Sequence, residues 1–203
     1  MMQALERPLT FDEFIEWYPN DGRLYELIDG VVVEVKPTGP HEKIAGFLVG
    51  QIWAEINRQQ SPYFIPRTCS LKPASARSGY LPDVMVLDET TLGENPRWQK
   101  ESTITEGKTA KIVVEVTSTN WRDDYERKLP DYEEMGVGEY WILDYLGLAA
   151  VRHIGSPKLP VITVYELING EYQLQRFRGQ DVIVSPTFGT LGLTADAVFG
   201  FGR

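Results

Sequence analysis

The stretch IVVEVTS, residues 112–118, sets the fold class. Four branched apolar residues surround one glutamate, with no polar alternation. Val and Ile favour extended backbone, and an unbroken apolar run fits a strand covered on both faces. Glu115 is then a carboxylate inside a sheet. Such a group is costly to bury unless something compensates its charge.

The neighbours extend the pattern. WRDDYERKLPDYEEMG (121–136) has helical spacing, and EYWILDY (139–145) is a second apolar strand. A strand, a helix and a strand in succession predict two parallel strands joined by a right-handed crossover. Upstream, LTFDEFIEWY (9–18) predicts a short helix, with Thr10 and Glu13 spaced as a capping box. LYELIDGVVVEV (24–35) predicts a hairpin, because Asp29-Gly30 supplies the positive φ angles of a tight turn. Residues 41–58 place Ile44, Phe47, Leu48, Ile52 and Ile56 at helical spacing despite Gly46 and Gly50. Short strands are expected near 63–65 and 69–71, then LPDVMVL (81–87), then a polar loop over 88–109. AAVRHI, VITVYEL, EYQLQRF and DVIVS read as further short strands. The expectation is one domain over 1–203: helix and hairpin at 9–35, a core at 41–145 and C-terminal strands at 148–185. Its class is α/β (α+β), with a central mixed β-sheet flanked by helices.

The 203 residues suffice for one domain with a substantial core, and 42% apolar content fits a folded chain. No apolar run approaches the ~18 residues of a membrane helix. MMQALERPLTFDEF lacks the basic and apolar regions of a signal peptide. One cysteine, Cys69, excludes an intramolecular disulfide framework, so a cytoplasmic location is the expectation. The net charge of −9 argues against coating nucleic acid over the whole surface, but not against a local basic groove. No acidic residue falls between Glu55 and Asp83, while Arg58, Arg67, Lys72 and Arg77 do. Taken alone, that span reads as a solvated loop and strand edge.

Four charged residues fall at apolar positions. Alternation puts Lys111, Val113, Glu115 and Thr117 on one strand face. Asp83 follows Pro82 and shares a face with Met85 and Leu87. In the hairpin, Glu26 is the single polar member of a face built from Leu24, Ile28, Val31, Val33 and Val35. On the helix, Trp121, Tyr125, Lys128, Tyr132 and Met135 share an arc with Asp124 at its edge, subject to a kink at Pro130. Each one alone reads as structural: a satisfied acid, or a lysine whose head reaches solvent. Together they read as one site. Three carboxylates coexist only with a cation or shared protons, and an ammonium helps to compensate them. Mg²⁺ takes oxygen ligands, including one or two carboxylates plus phosphate, and a neighbouring lysine can neutralise developing charge. The set points to metal-assisted phosphodiester hydrolysis. One Cys and two His make no zinc set at standard spacing. His41 precedes a helix and could touch the site, but reads first as a helix N-terminal residue; His153 reads as structural, Tyr140, Trp141 and Tyr145 as core, and Asp144 as a turn or cap.

PD at 82–83 followed by VEV at 114–116 resembles the PD-(D/E)XK nuclease superfamily. The ordered run YELIDGVVV, PDVMVL, VVEVTS and DYERKLPDYEEMGVGEYWILD resembles the Uma-two family of restriction endonucleases over roughly residues 9–165. The resemblance implies a restriction-endonuclease-like core, with Asp83 and Glu115 as metal ligands and Glu26 as an acid contributed from earlier in the chain. It implies Mg²⁺, with Mn²⁺ as a substitute, and double-stranded DNA as substrate. Thr117 departs from the pattern, because it stands where the superfamily carries lysine. Related nucleases can carry that lysine on the following helix, and Lys128 is the matching residue.

The resulting expectation is a Mg²⁺-dependent DNA endonuclease with Asp83, Glu115, Lys128 and Glu26 catalytic. Asp124 and Tyr132 would hold Lys128, and Arg67, Lys72, Arg77, Arg97 and Lys100 are candidates for phosphate contacts. Cutting both strands favours a homodimer. Two rivals stand: a catalytically silent nuclease-fold binding or assembly module, favoured by Thr117 and the acidic balance, and an enzyme acting on RNA or branched DNA.

Overall fold

A computed structural model describes residues 7–202. Residues 1–6, part of the N-terminal run weighed above as a signal peptide, and residue 203 lie outside them. The first half runs α1 (Phe11–Trp17), β1 (Leu24–Ile28), β2 (Val31–Val35), α2 (Gly39–Gln59), β3 (Tyr63–Phe64), β4 (Ser70–Leu71) and β5 (Val84–Asp88). Then come α3 (Trp98–Glu101), β6 (Thr103–Ile104), β7 (Ala110–Val116), a π-helical turn at Asp123–Lys128, α4 (Leu129–Met135) and β8 (Glu139–Asp144). The chain continues with α5 (Val151–Ile154), β9 (Val161–Ile168), β10 (Glu171–Phe177), β11 (Val182–Ser185), β12 (Gly189–Thr194) and α6 (Ala195–Gly200).

Six strands form the central sheet in the order β10-β9-β8-β7-β5-β3. β7 and β8 run parallel, joined by the π turn and α4, while β7–β5, β5–β3, β8–β9 and β9–β10 are antiparallel. The sheet is therefore mixed, and β7 lies inside it with a neighbour on each side. Both of its faces are covered, which explains the missing alternation. Ile112, Val114 and Val116 pack with Trp141, Leu143 and the α2 residues Ile44, Leu48, Ile52 and Ile56. Burying those four α2 side chains contributes about 6–12 kcal/mol at 1.5–3 kcal/mol each, before chain entropy. Val113 packs on the opposite face with Met85, Leu87, Ile142, Tyr125 and Tyr132.

The hairpin turns at Asp29 (φ 52°) and Gly30 (φ 84°), as its dipeptide requires. Its register pairs Glu26 with Val33 and Leu24 with Val35. The Leu27–Gly79 bridge ties β1 to the segment that leads into Asp83. Behind it, α1 begins with the predicted box: Glu13 N–H donates to Thr10 Oγ1 at 3.3 Å, and Thr10 N–H donates to the Glu13 carboxylate at 2.9 Å.

Several elements differ from the sequence expectation. AAVRHI is a turn and the short helix α5, not a strand. The Asp144 carboxylate accepts from Leu148 N–H at 3.0 Å and Ala149 N–H at 2.8 Å, so the chain turns immediately after β8. Residues 88–109 hold helical turns and β6 rather than a plain loop, organised around Asn95, which accepts from the Thr105 and Glu106 N–H groups. β12 and α6 were not anticipated. His153 lies on α5 and stacks on Tyr125 with ring centroids 4.7 Å apart. Among the described residues, no helix is long and apolar enough to cross a membrane.

Candidate active site

The sheet register builds the acidic pair. β5 and β7 pair Met85 with Val113 and Val84 with Val114. One step further, the same antiparallel register sets Asp83 opposite Glu115. Asp83 Oδ2 accepts from Val116 N–H at 2.7 Å, so the turn before β5 is stitched to the end of β7.

Lys128 reaches this pair from the crossover helix. Pro130 lacks an N–H, so it cannot hold the α-helical bond to residue 126. The turn before it is wider than an α-helix, spanning Asp123–Lys128. Asp124, Tyr125 and Lys128 are all buried by it. The expected kink at Pro130 is thus a π turn that feeds α4. π turns of this kind often occur at functional sites.

The Lys128 ammonium lies 3.0 Å from Glu115 Oε1, 3.1 Å from Glu26 Oε1 and 3.5 Å from Asp124 Oδ1. Its side chain is 4% exposed, too little for its head to reach solvent. The sequence reading of Asp83, Glu115, Lys128 and Glu26 as one constellation is what the geometry brings together. Glu26 Oε1 also accepts from Leu81 N–H at 2.8 Å. Tyr132 donates to Glu115 Oε1 at 3.1 Å, so it holds the acid rather than the lysine. Tyr140 donates to the backbone carbonyl of Asp124 at 3.1 Å. Thr117, 1% exposed, brings no charge, and its hydroxyl sits beside Asp124 without hydrogen-bond geometry.

Electrostatics follow from burial. Desolvation raises the Glu115 carboxyl well above its usual range, against the opposing pull of Lys128. Desolvation likewise pushes Asp124 up to about 6, with Lys128 again opposing. For Lys128, burial acts downward, but Glu115, Glu26 and Asp124 outweigh it and hold the ammonium well above the usual lysine value. With one ammonium among three carboxyl groups, the acids share protons or take a further cation.

A cavity of about 320 Å³ opens over this cluster, lined by Asp83, Glu115, Lys128 and Glu26 together with Ser118, Asn120 and His41. His41, which the sequence reading ranks first as a helix N-terminal residue, stands at the site. Its Nε2 lies 3.0 Å from Asp83 Oδ2. A signal was present: His41 stands three residues before Ile44 and seven before Leu48, on the buried face of α2. The candidate phosphate contacts fall elsewhere, since none of Arg67, Lys72, Arg77, Arg97 and Lys100 lines the cavity. Arg97 pairs with Glu101 at 2.8 Å and with Asp12, and Lys72 donates to Pro73 O at 3.1 Å beside the Phe11 ring.

Among the described residues, no three His, Cys, Asp or Glu side chains converge as a protein-only metal cage. Mg²⁺ does not need one: it usually keeps several waters and takes one or two carboxylates plus substrate phosphate. Asp83 and Glu115, facing one cavity with hard oxygen donors, fit that demand. Softer metals prefer sulfur and imidazole ligands.

The fold matches that of a solved structure. A crystal structure described as "a putative nuclease belonging to DUF820 from Anabaena variabilis ATCC 29413" matches with a TM-score of 0.68 at 17% sequence identity, over 97% of this chain and 100% of that one. At that identity the likeness shows the fold. The family model Uma2, described as "Putative restriction endonuclease", matches residues 11–196. The chain belongs to the Uma2 family. No curated protein matches it.

Proposed function

We propose that this chain is a Mg²⁺-dependent endonuclease that hydrolyses DNA phosphodiester bonds, with Mn²⁺ able to replace Mg²⁺. The observation that carries the reading is the buried Lys128 ammonium, held against Glu115 and Glu26 beside Asp83 at the floor of an open cavity. Asp83 and Glu115 would hold the cation. Such an ion, when bound, polarises a phosphoryl oxygen and eases deprotonation of water. Lys128 then orients the attacking water and neutralises charge that gathers on the phosphoryl oxygens as the leaving oxygen departs. Glu26 and Tyr132 keep the lysine and Glu115 in register. Lys128 thereby takes the place of the strand lysine that Thr117 lacks. Cleavage of both strands calls for two such sites, so a homodimer belongs to the proposal.

The rival reading is a silent nuclease-fold module, favoured by Thr117 and by the way three carboxylates enclose Lys128. Supercoiled plasmid separates the two. Wild type with Mg²⁺ or Mn²⁺ is expected to nick or linearise it, while Glu115→Gln, Lys128→Ala and an EDTA control leave it intact. Cleavage that survives Glu115→Gln would misplace the site. Absent cleavage, together with no rise in Tm on adding metal, would favour the module. Matched RNA and branched-DNA substrates decide the substrate class.

A further inference from the structure

The geometry points to His41 as a positioning residue for Asp83: its imidazole, presented by the first turn of α2, fixes the orientation in which that carboxylate faces the cavity. The inference rests on the proposed role of Asp83 as a cation ligand.

Two donors converge on one oxygen of Asp83. Val116 N–H reaches Oδ2 at 2.7 Å, and His41 Nε2 reaches the same atom at 3.0 Å. Neither bond uses Oδ1. The pair therefore sets the tilt of the carboxylate while leaving one oxygen outside its grip. Val116 N–H alone is a single pivot, about which a side chain with two rotatable bonds can swing. A second donor from another element removes that freedom.

His41 is a stiff support. It is 8% exposed and sits in the first turn of the 21-residue helix α2. That helix is anchored to the sheet through Ile44, Leu48, Ile52 and Ile56, all buried. Asp83 thus links three elements: the turn before β5, the end of β7 and the start of α2. Among the described residues, its Nδ1 is buried without a hydrogen-bond partner. A histidine that packed for its own sake would be expected to satisfy both nitrogens. This one leaves Nδ1 unsatisfied and keeps the contact to Asp83. Groups that orient metal-binding carboxylates generally tune affinity through such bonds.

The test compares two variants of similar bulk. His41→Leu fills the space without a donor, and His41→Gln can return an N–H near the position of Nε2. Mn²⁺ affinity is read on metal-free protein from the paramagnetic resonance signal of free Mn²⁺. Exchange of the Val116 amide, which shares Asp83 Oδ2, is read without metal. His41→Leu is expected to weaken Mn²⁺ binding roughly 10–100-fold and to speed Val116 exchange, with His41→Gln recovering most of both. Unchanged affinity and unchanged Val116 exchange in His41→Leu would overturn the inference. So would a His41→Gln variant as impaired as His41→Leu. Asp83→Asn is the control: if Mn²⁺ binding survives it, the cation-ligand reading fails. Val116 exchange then decides the positioning of Asp83 by itself.

Discussion

Replacing Lys128 with methionine isolates the central electrostatic claim. Methionine keeps an unbranched chain and removes the ammonium from contacts of 3.0, 3.1 and 3.5 Å with Glu115, Glu26 and Asp124. At an effective dielectric near 20, each such pair attracts by about 5 kcal/mol before desolvation is counted. The net loss is smaller, because the carboxylates can take up protons. Removing one partner of a buried pair costs about 3–5 kcal/mol, and that is the expectation at pH 7. The sign with pH follows from the same groups. Burial already raises Glu115 above its ordinary value of 4.5, and Lys128 is what opposes that rise. Without Lys128 the folded-state pKa climbs further, so folding becomes coupled to proton uptake above the unfolded value. Stability of the variant is then retained at low pH and lost as pH rises. Asp124, at about 6 in wild type with Lys128 opposing its rise, climbs as well, so above pH 6 the variant keeps a proton that wild type loses, and the gap is about 1.4 kcal/mol wider at pH 7 than at pH 5. Urea unfolding of metal-free protein at both pH values, with matched m-values, measures it. A gap that is flat with pH, or smaller than about 1 kcal/mol at pH 7, would refute charge compensation as the reason Lys128 is buried.

Gly79→Ala probes the seat of the hairpin. A Cβ there would fall inside contact distance of the Phe11 ring, which is 1% exposed and has no room to yield. Destabilisation of about 1–3 kcal/mol is expected, read as a lower urea midpoint. Glu13 gives an acid-limb signature. Its hydrogen bond with Arg7, together with the Thr10 N–H, lowers its pKa from 4.5 to about 2. A lowered acid contributes stability above its unfolded pKa and loses it as pH falls through the folded value. Glu13→Gln should therefore flatten the part of the Tm profile between about pH 4.5 and 2, and an unchanged profile would contradict the contacts of the Glu13 carboxylate with Arg7 and Thr10.

Much of the site could be read before the fold was known. Glu115 in an apolar run, Asp83 after Pro82, Glu26 on an apolar hairpin face and Lys128 on an aromatic stripe each break a local pattern. Those breaks are visible because strand and helix periods depend on nearest neighbours alone. The same period carried the hairpin register, the capping box and the β7–helix–β8 unit. Tertiary structure decided the rest. The register that sets Asp83 opposite Glu115 depends on pairing between strands far apart in the chain. The bond from His41 to Asp83 joins residues 42 positions apart, and the histidine's place on α2 could not reveal which acid it would meet. The span of basic residues between 55 and 83 reads alone as a solvated loop and strand edge, and of its candidates for phosphate contacts Lys72 turns to Phe11 and Pro73 O. α5 was missed because the Asp144 carboxylate, not local propensity, turns the chain after β8. Local pattern thus told which residues are out of place, since burial preference is written residue by residue. Only the folded sheet told which of them meet, since long-range pairing is where charges find their compensation.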